Sequence, residues 1–272
     1  MLKPPSANLA TVGVFGGSGF YQLLAAVEEL SVETPFGEPS GQIAVGRVGD
    51  VPVAFLPRHG SKHEYPPHSI NYRANVWAMA SLGVTRILGP AASGSLQPDI
   101  GPGHFVLCDQ FVDRTYGRAC TFYDGPRAVH ISTAHPYCPE LRALAADVCQ
   151  QHEIPIHHRG TVVVVQGPRF STRSESHWFS NQGWEVINMT QYPEVALALE
   201  LEICYLNISL VTDYDVGLEG RDDIQPVSVE GVIKVFNDNN ERVRDVILDL
   251  IPRIPSERTC PCAAALKGAV VS

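Results

Sequence analysis

The feature that most constrains this chain is a repeated alternation between short apolar runs and segments with helical periodicity. The runs Val51–Leu56, Thr161–Gln166 and Cys204–Val211 are apolar at nearly every position, which is typical of strands buried on both faces in a parallel sheet. Between such runs, Asn71–Leu82 and Val229–Leu250 carry apolar residues at helical spacing. The alternation predicts an α/β fold, a three-layer sandwich with a mixed, mainly parallel central sheet.

The remaining elements continue this alternation without an internal repeat or a low-complexity linker. The other predicted strands are Thr11–Phe15, Thr85–Leu88, Phe105–Phe111 and Val186–Asn188. The other predicted helices are Phe20–Leu30, Leu141–His152, Ser174–Gln182 and Pro193–Glu202. We therefore expect a single domain over residues 1–272, with its core at 11–255 and a tail at 256–272.

The composition argues against several classes of function. Of the 272 residues, 44% are hydrophobic, which is enough for a sizeable core, and the formal net charge is −9. An acidic chain lacks the net basic face that nucleic acids and anionic membranes require, so we expect neither as a partner. No apolar run is long enough to cross a bilayer and no secretory signal is visible, so we expect a cytoplasmic protein.

The seven cysteines are scattered in mostly apolar contexts. This distribution is typical of reduced, buried thiols in a cytoplasmic protein. Cys260-Pro-Cys262 is the one close pair, and it lies in the predicted tail with no histidine or second cysteine pair nearby in the sequence. On these grounds the sequence predicts no metal site.

Several predicted strands end in the same kind of segment, in which small residues accompany a charged or hydroxyl group. Ligands of α/β sheets bind at the carboxyl ends of the strands. We therefore expect these segments to build one pocket. They are Ser18, Arg58-His59, Ala91-Ala92, Met189-Thr190 and Asp213.

The first two of these segments carry groups that bind anions. The glycines around Ser18 allow close backbone approach and its hydroxyl adds a donor, although a plain tight turn fits the same residues. Gln22 occupies the place where a dinucleotide-binding fingerprint needs Gly or Ala, which counts against a dinucleotide-dependent oxidoreductase. Arg58 offers a planar phosphate fork and His59 a further donor, with an ordinary surface loop as the alternative.

Two later segments carry groups suited to an aromatic base. Phe170 follows a strand end and is a candidate to stack on a ring, whereas Arg169 and Arg173 are expected to be structural ion-pair partners of Glu175. Asp213 and Asp215 follow a very apolar strand, where partial desolvation makes a carboxyl a candidate proton donor or base reader. The alternative for Asp213 is an Asx turn or a helix N-cap.

Together these segments resemble the trimeric purine nucleoside phosphorylase family from about Val12 to Pro255. The matching motifs are Gly-Gly-Ser-Gly-Phe at 16–20, Pro-Arg-His-Gly at 57–60, Asn-Tyr-Arg-Ala-Asn at 71–75, Asp-Gln-Phe-Val-Asp-Arg-Thr at 109–115, Gly-Pro-Arg-Phe-Ser at 167–171, Asn-Met-Thr at 188–190 and Thr-Asp-Tyr-Asp at 212–215. Seven ordered matches are far more specific than any one. The resemblance implies a phosphorylase-like fold, a homotrimer or dimer of trimers, and inorganic phosphate as co-substrate with no cofactor.

The resemblance also implies a role for each matching residue. Phosphate would be held by Ser18, Arg58, His59, the backbone of Ala91 and Ala92, and Thr190. The nucleoside would be bound by Met189 at the ribose and by Asp213, Asp215, Phe170 and Ser171 at the purine. The 5′ substituent would lie in an apolar pocket formed by Val229, Ile233, His63 and, from a neighbouring subunit, His130. The sequence departs from the family at Ala91, where a hydroxyl residue is usual, and this removes one phosphate hydrogen bond of about 1 kcal/mol.

The implied reaction is phosphorolysis, with Asp213 as general acid for the departing purine. A carboxyl accepts from a 6-amino group and, when protonated, donates to N7, so Asp213 favours adenine. The apolar 5′ pocket favours S-methyl-5′-thioadenosine, cleaved to adenine and 5-methylthioribose 1-phosphate. Three alternatives stay open: 6-oxopurine nucleosides such as inosine, guanosine or methylthioinosine, another 5′-deoxyadenosine derivative, and a nucleoside-binding sensor without chemistry.

Overall fold

The computed structural model of the chain describes residues 4–16, 25–216 and 229–271. The strands are β1 (Val12–Gly16), β2 (Ala25–Leu30), β3 (Ile43–Val48), β4 (Val51–Pro57), β5 (Arg86–Ser95), β6 (Phe105–Val106), β7 (Gln110–Arg114), β8 (Ile156–His157), β9 (Thr161–Val165), β10 (Val186–Asn188) and β11 (Cys204–Tyr214). The helices are α1 (Tyr72–Ser81), α2 (Pro139–Gln151), α3 (Arg173–Asn181), α4 (Gln191–Glu200) and α5 (Val229–Leu250). Short 3-10 turns follow at Ile251–Arg253 and Pro261–Ala264.

The described strands form one mixed sheet. Its main path runs β2-β3-β4-β1-β5-β10-β9-β7, while β11 pairs with β5 and leads through β6 to β8. Among the described strands, six neighbouring pairs are parallel and four are antiparallel. The strands β4, β1, β5 and β11 are mutually parallel, as their continuous apolar runs predicted.

Helices pack on both faces of the sheet. α1 and α4 contact each other, and one buried cluster joins their side chains to the sheet. α2 and α5 contact each other, and a second buried cluster joins them to the sheet. Successive residues of β11 point alternately into the two clusters, Cys204 into the second and Tyr205 into the first. These layers confirm the predicted three-layer α/β sandwich.

A gap beside the long strand β5 creates the space for a site. β11 pairs with β5 along its whole length. On the opposite edge of β5, pairing with β1 stops at Leu88 and pairing with β10 begins at Gly94. The backbone of residues 89–93 therefore has a strand partner on one side only.

Some predicted elements differ from the structure. Residues 25–30 form β2 rather than the end of the predicted helix Phe20–Leu30, because they pair antiparallel with β3, which the sequence did not predict. β5 does not break after Leu88, because its small residues are held by pairing with β11 up to Ser95. The run Phe105–Phe111 divides into β6 and β7, which pair with different neighbours, β11 and β9.

The helices follow the predicted boundaries closely because their caps are encoded locally. At α1, the Asn71 side chain accepts a hydrogen bond from the Ala74 N–H, as an N-cap does. At α3, Thr172 and Glu175 form a capping box, in which each side chain accepts from the other residue's backbone N–H. None of the described helices combines the length and the apolar character that a bilayer crossing needs.

The C-terminal residues predicted as a tail pack against the body of the protein. Cys260, Cys262 and Leu266 are buried in the apolar interior. Near the end of the chain, Val270 forms an isolated antiparallel bridge with Val129. The described part of this segment is therefore packed against the rest of the fold and does not extend from it as a tail.

Candidate active site

A cavity of about 950 Å³ lies at the gap beside β5 and gathers most of the predicted site residues. They arrive from the ends of β4, β10 and β11, from the middle of β5 and from the loop after β9. The predicted residues that line it are Arg58, His59, His63, Ala91, Ala92, Phe170, Ser171, Met189, Thr190, Asp213 and Asp215. Sequence reasoning thus brought together residues that are up to 157 positions apart in the chain because strand ends share one edge.

Four predicted residues are not seen in this cavity. Ser18 lies outside the described residues, and so do the side chains of Val229 and Ile233. His130 is exposed and its backbone N–H donates to the Ala269 carbonyl at 2.8 Å, away from the residues that line the cavity. The role predicted for His130 belongs to a neighbouring subunit's site, which a single chain does not test.

Arg58 follows β4 and is fixed by a buried ion pair. Its Nε and Nη2 groups donate to the two carboxylate oxygens of Glu194, each at 2.8 Å, and its Nη1 group donates to the Pro90 carbonyl at 3.0 Å. Burial acts to lower the pKa of Arg58, but the Glu194 charge and hydrogen bond hold it above its ordinary value. The predicted phosphate fork is therefore occupied by Glu194.

Tyr205 completes this buried network from β11. Its hydroxyl donates to Glu194, whose side chain is fully buried on α4. The ring reaches Glu194 because Gly89 has no side chain: a Cβ at this position would lie 2.0 Å from the Tyr205 hydroxyl. Gly89, which resembled a strand breaker in the sequence, is thus a point of close approach inside β5.

His59 stands next to Arg58 in a turn that requires glycine. Gly60 has φ +83°, a conformation that residues with a side chain rarely adopt. The His59 Nδ1 lies 2.9 Å from the Tyr65 carbonyl, so the neutral ring donates there and leaves Nε2 as an acceptor. Burial lowers the pKa of His59 to about 4, and nearby Arg58 and His63 add to the effect.

Ala91 and Ala92 offer their backbone inside the gap, in the middle of β5 rather than at a strand end. Their register partners on β11 are Ser209 and Leu210. Because successive N–H groups of a strand point to alternate edges, residues 89–93 present a donor to the gap as well as to β11. The backbone contribution predicted at Ala91, where the sequence lacks a hydroxyl, stays a prediction.

Met189 and Thr190 connect β10 to α4, and Thr190 is the N-cap residue of that helix. Met189 packs beside Gly167, where an added Cβ would lie 2.7 Å from the Met189 sulfur. Arg118 fixes both segments, because its guanidinium donates to the carbonyls of Met189 and Gln166 at 3.0 and 2.7 Å. Sequence reasoning missed Arg118, since no local signal shows that a loop arginine reaches two strand ends.

Asp213 lies past a bulge in β11. The register with β5 shifts between Val211 and Asp213, so Thr212 is an extra residue opposite Ser93 and Gly94. The Thr212 hydroxyl donates to Asp213 at 2.6 Å. Burial raises the pKa of Asp213 to about 6, against the lowering effect of Thr212 and with added repulsion from Asp215. A carboxyl with this pKa carries a proton in a useful fraction of molecules near neutral pH.

Asp215 is held by the hydroxyl of Ser171, which the sequence predicted near the purine but not in contact with Asp215. The Ser171 hydroxyl donates to the Asp215 carboxylate at 2.6 Å, and both side chains are buried. The Asp215 backbone N–H donates to the Ser95 carbonyl at 2.9 Å, which extends the pairing of β11 with β5. Asp215 is therefore a fixed acceptor beside Asp213.

The loop that carries Phe170 is anchored by the ion pair predicted for Arg169. Arg169 forms a two-point ion pair with Glu175, with both N–O distances at 2.8 Å. Glu175 also belongs to the capping box of α3. Hydrogen bonds from Arg169 and from the Thr172 backbone lower the pKa of Glu175 to about 2. Phe170 lines the cavity with half of its surface exposed, so its ring is available to a ligand.

The described part of α5 contributes polar groups to the cavity. Asn240, Glu241 and Arg244 line it, together with the apolar Val243. The sequence placed only apolar residues of this helix near the site. Helical spacing brings residues 240, 241 and 244 to one face of α5. The sequence prediction named only Val229 and Ile233, which lie at the start of the helix.

The comparison with protein families decides the wider relationship. The family model described as "Phosphorylase superfamily" matches residues 11–252. The chain belongs to the phosphorylase superfamily. This phosphorylase is 50% identical to a purine nucleoside phosphorylase of Streptomyces coelicolor over 95% of each chain. It is 48% identical to an S-methyl-5′-thioadenosine phosphorylase of Pyrococcus furiosus, covering 94% of this chain and 97% of that protein.

Solved structures agree with this relationship. A methylthioadenosine phosphorylase from an Antarctic soil metagenomic library superposes with a TM-score of 0.91 and is 37% identical, over 97% of this chain and 93% of the other. A variant of the adenosine/methylthioadenosine phosphorylase of Schistosoma mansoni, in complex with methylthioadenosine, superposes with a TM-score of 0.84 and is 38% identical, over 92% and 93%. The family and the phosphorylase-like fold predicted from the sequence are thus confirmed.

Proposed function

We propose that this phosphorylase cleaves S-methyl-5′-thioadenosine with inorganic phosphate to adenine and 5-methylthioribose 1-phosphate. One observation of the site supports it above all. A single cavity holds an anion-binding group of residues at one end, around Arg58, His59 and Thr190, and a desolvated carboxyl at the other, Asp213. Phosphorolysis needs this pairing, because an anion attacks while a base departs.

The phosphate end fits an oxyanion by its donors. Arg58, Ala91, Ala92 and Thr190 line the cavity. Guanidinium, backbone N–H and hydroxyl groups are donors that suit an oxyanion. The neutral His59 ring presents Nε2 as an acceptor, so it suits a phosphate that keeps one proton. Because Glu194 neutralises Arg58, the resident charge at this end is small, and the backbone and hydroxyl dipoles carry more of the binding.

The reaction follows from these positions. A phosphate oxygen forms a bond to C1′ of the ribose as the bond from C1′ to the purine nitrogen breaks, and its electron pair passes to the purine. Protonated Asp213 gives its proton to purine N7, so the base leaves neutral. The phosphate dianion stabilises the positive charge that develops on the sugar, and positioning alone supplies several kcal/mol.

The carboxyl of Asp213 also supports the choice of adenine. When protonated it donates to N7, and its second oxygen accepts from the 6-amino group. A 6-oxopurine presents an acceptor at position 6, which repels that oxygen. Ser171 holds Asp215 as a second acceptor on the same side. The methylthio substituent is supported by similarity to relatives that are named for it or bound to it.

Two finer parts of the proposal extend to assembly and co-substrate. We propose a homotrimer or a dimer of trimers, and inorganic phosphate without a further cofactor, because the matching family has both properties. The exposed position of His130 is compatible with a role in a neighbouring subunit's site. A light-scattering mass and the phosphate dependence described next test these two parts.

The experiment is a measurement of free-base release from methylthioadenosine, 5′-deoxyadenosine, adenosine and inosine, each with and without phosphate. We expect release to require phosphate and methylthioadenosine to have the highest kcat/KM. Fastest turnover of inosine would replace this proposal by a 6-oxopurine phosphorylase. Release at equal rates without phosphate would point to a hydrolase, and tight nucleoside binding without any turnover would point to a sensor.

A further inference from the structure

Four cysteines from three distant parts of the chain converge in the interior. Cys138 is the N-cap residue of α2, Cys204 begins β11, and Cys260 and Cys262 flank Pro261 at the last 3-10 turn. All four are buried. Their sulfur atoms lie within 4.8 Å of one another. The sequence showed no second cysteine pair near Cys260 and Cys262, but the fold supplies one.

The spacing of the sulfurs fits a tetrahedral thiolate site. Four sulfurs at about 2.3 Å from a central Zn²⁺ stand about 3.8 Å apart along the edges of the tetrahedron. The Cys204 and Cys260 sulfurs lie 3.3 Å apart, and all four sulfurs lie within 4.8 Å of one another, so the separations are compatible with that edge length. A disulfide requires about 2.05 Å, and all four thiols are free.

The ligand type narrows the choice of metal. Thiolates select zinc, copper(I) or iron–sulfur clusters, whereas magnesium and calcium require oxygen ligands. Four thiolates on one ion leave no open position, which is the arrangement of structural zinc sites. A single divalent ion suits four sulfurs that converge on one point this tightly, and copper(I) prefers fewer thiolates.

The surroundings supply positive charge for a tetrathiolate site, which carries a net charge of −2. The N-terminus of α2 is the positive end of that helix, and Cys138 stands there. Arg258 is two residues before Cys260, and its Nη1 group donates to the carbonyl of Glu202, two residues before Cys204, at 2.5 Å. A guanidinium and a helix N-terminus therefore lie next to residues of the cluster.

The segment that carries the Cys-Pro-Cys pair is held in place by other contacts. The Thr259 backbone N–H donates to the Glu140 carboxylate on α2 at 2.9 Å, and the Thr259 hydroxyl donates to the same oxygen. These contacts orient the residues next to Cys260 toward Cys138. The ligands are thus arranged by their neighbours, as the ligands of metal sites are.

We propose that Cys138, Cys204, Cys260 and Cys262 bind one structural Zn²⁺ ion that fastens the C-terminal segment to α2 and β11. The site lies at the start of β11, whereas Asp213 stands at its far end, nine residues and about 30 Å along an extended strand. The ion therefore stabilises the fold and takes no part in the reaction. The inference is independent of the proposed substrate.

The test uses the full chain without a histidine tag, purified under reducing, anaerobic conditions, stripped with a chelator and dialysed against Zn²⁺. Elemental analysis should find one zinc per chain, and Co²⁺ in its place should give the intense visible absorption of tetrahedral thiolate coordination. The double variant Cys260→Ser/Cys262→Ser should lose the zinc. The matched control Cys149→Ser, a buried cysteine of α2 outside the cluster, should keep it.

Measurements of stability and of activity distinguish a structural ion from one that takes part in the reaction. Stripping the zinc should lower the melting temperature of the wild-type chain, while kcat at 25 °C changes less than twofold in the chain that stays folded. Four free thiols with no zinc uptake by the reduced protein would overturn the proposal. Zinc-free protein whose mass and thiol count show disulfides among these four cysteines would also overturn it. The wild-type measurements decide even if the double variant does not fold.

Discussion

At the scale of single residues, burial has two effects on Asp213. It keeps the carboxyl protonated, as a proton donor requires, and it makes the ionised carboxyl unfavourable for the fold. Replacing it by Asn removes the transferable proton. We expect Asp213→Asn to lower kcat for methylthioadenosine by at least about 100-fold, the usual range for loss of a general acid. It should lower the preference for adenosine over inosine as well, because an amide pairs with a 6-oxopurine. Base release from both nucleosides measures this.

The control for that measurement is Asp124→Asn, an exposed aspartate that does not line the cavity. It should leave kcat within twofold of the wild type. In the wild type, kcat/KM should fall as the pH rises through about 6, the pKa of Asp213, because the donor form is lost. Unchanged turnover and base preference in Asp213→Asn would remove Asp213 from the mechanism.

The same residue carries a stability prediction with a definite sign. The folded state raises the pKa of Asp213 from 3.8 to about 6, so ionisation destabilises the fold. This loss of stability is absent below pH 3.8 and reaches its full size above a pH of about 6. Asn stays neutral, so Asp213→Asn should be more stable than the wild type at pH 8, by at most about 3 kcal/mol, and the difference should vanish near pH 4. Urea unfolding at both pH values checks the sign.

His59 gives a second prediction at this scale, on phosphate. Its pKa is lowered to about 4 by burial, so the free ring is neutral at pH 7. A bound phosphate dianion favours the protonated ring, so saturating phosphate should raise the pKa of His59, which NMR titration of labelled histidine follows. His59→Ala should raise KM for phosphate about 10- to 100-fold, as expected for a hydrogen bond to a charged group. His68→Ala, an exposed neighbour outside the cavity, is the control.

KM for the nucleoside separates this role from a general loss of structure. It should change less than KM for phosphate in His59→Ala, because His59 is connected to the predicted 5′ pocket only through the stacked ring of His63. Equal increases of both KM values, or a phosphate-independent pKa for His59, would contradict the assignment.

At the scale of elements, the sequence predicted what is encoded locally. The apolar runs of β1, β4, β9 and β11 are visible in a few adjacent residues, and each matches the structure. β2 and the second half of β5 are not encoded in this way. Residues 25–30 favour no element strongly until β3 pairs with them, and the small residues of β5 form a strand because β11 lies alongside.

The same distinction explains the candidate site. Residues at strand ends, such as His59 and Asp213, could be assigned to one pocket because strand ends share an edge. Glu194, Tyr205 and Arg118 act through contacts between distant segments, with no pattern around them to predict those contacts. Sequence reasoning therefore finds the groups that face a ligand more readily than the groups that fix them.

Variants of Glu175 test whether α3 helps to position the site. The Glu175 carboxylate belongs to the capping box of α3 and also holds Arg169 in the Phe170 loop. Glu175→Gln keeps an acceptor for the capping box but removes the charge that pairs with Arg169. Glu175→Ala removes both. We expect the Ala variant to lose about 1 kcal/mol of stability and to raise KM for the nucleoside severalfold, with the Gln variant between it and the wild type.

The contribution of Glu175 to stability should also depend on pH. The pKa of Glu175 is lowered from 4.5 to about 2, so its stabilising effect is present above pH 4.5 and is lost as the pH falls toward 2. The stability difference between the wild type and Glu175→Ala should therefore shrink in acid. Identical KM values in all three proteins would show that the loop does not depend on this anchor.

At the scale of the whole molecule, the fold separates its two chemical centres. The cavity uses the gap where β1 and β10 leave one edge of β5 unpaired. The cysteine cluster lies where β11 begins, on the side of the sheet covered by α2 and the C-terminal segment. Both depend on residues far apart in the sequence, but only the cavity follows a general rule of sheet topology. That difference explains why the cysteine cluster could not be predicted.

The last prediction concerns the assembly. Tyr116, Phe170 and Trp178 are 75%, 50% and 45% exposed. Large exposed aromatic residues are typical of surfaces that another chain covers. We expect light scattering to give a particle of three 29.6-kDa chains or a multiple of it. Trp178→Glu should shift this particle toward single chains, whereas Leu9→Glu, an exposed apolar residue of the N-terminal segment, should not.

The role predicted for His130 links the assembly to the reaction in a way that can be tested. If it completes a neighbouring subunit's 5′ pocket, His130→Ala raises KM for methylthioadenosine and leaves KM for phosphate unchanged, because the phosphate end of the cavity belongs to one chain. Dissociation by Trp178→Glu should raise KM for the nucleoside in the same way. A monomeric wild-type protein with full activity would contradict both expectations, since each chain would then hold a complete site.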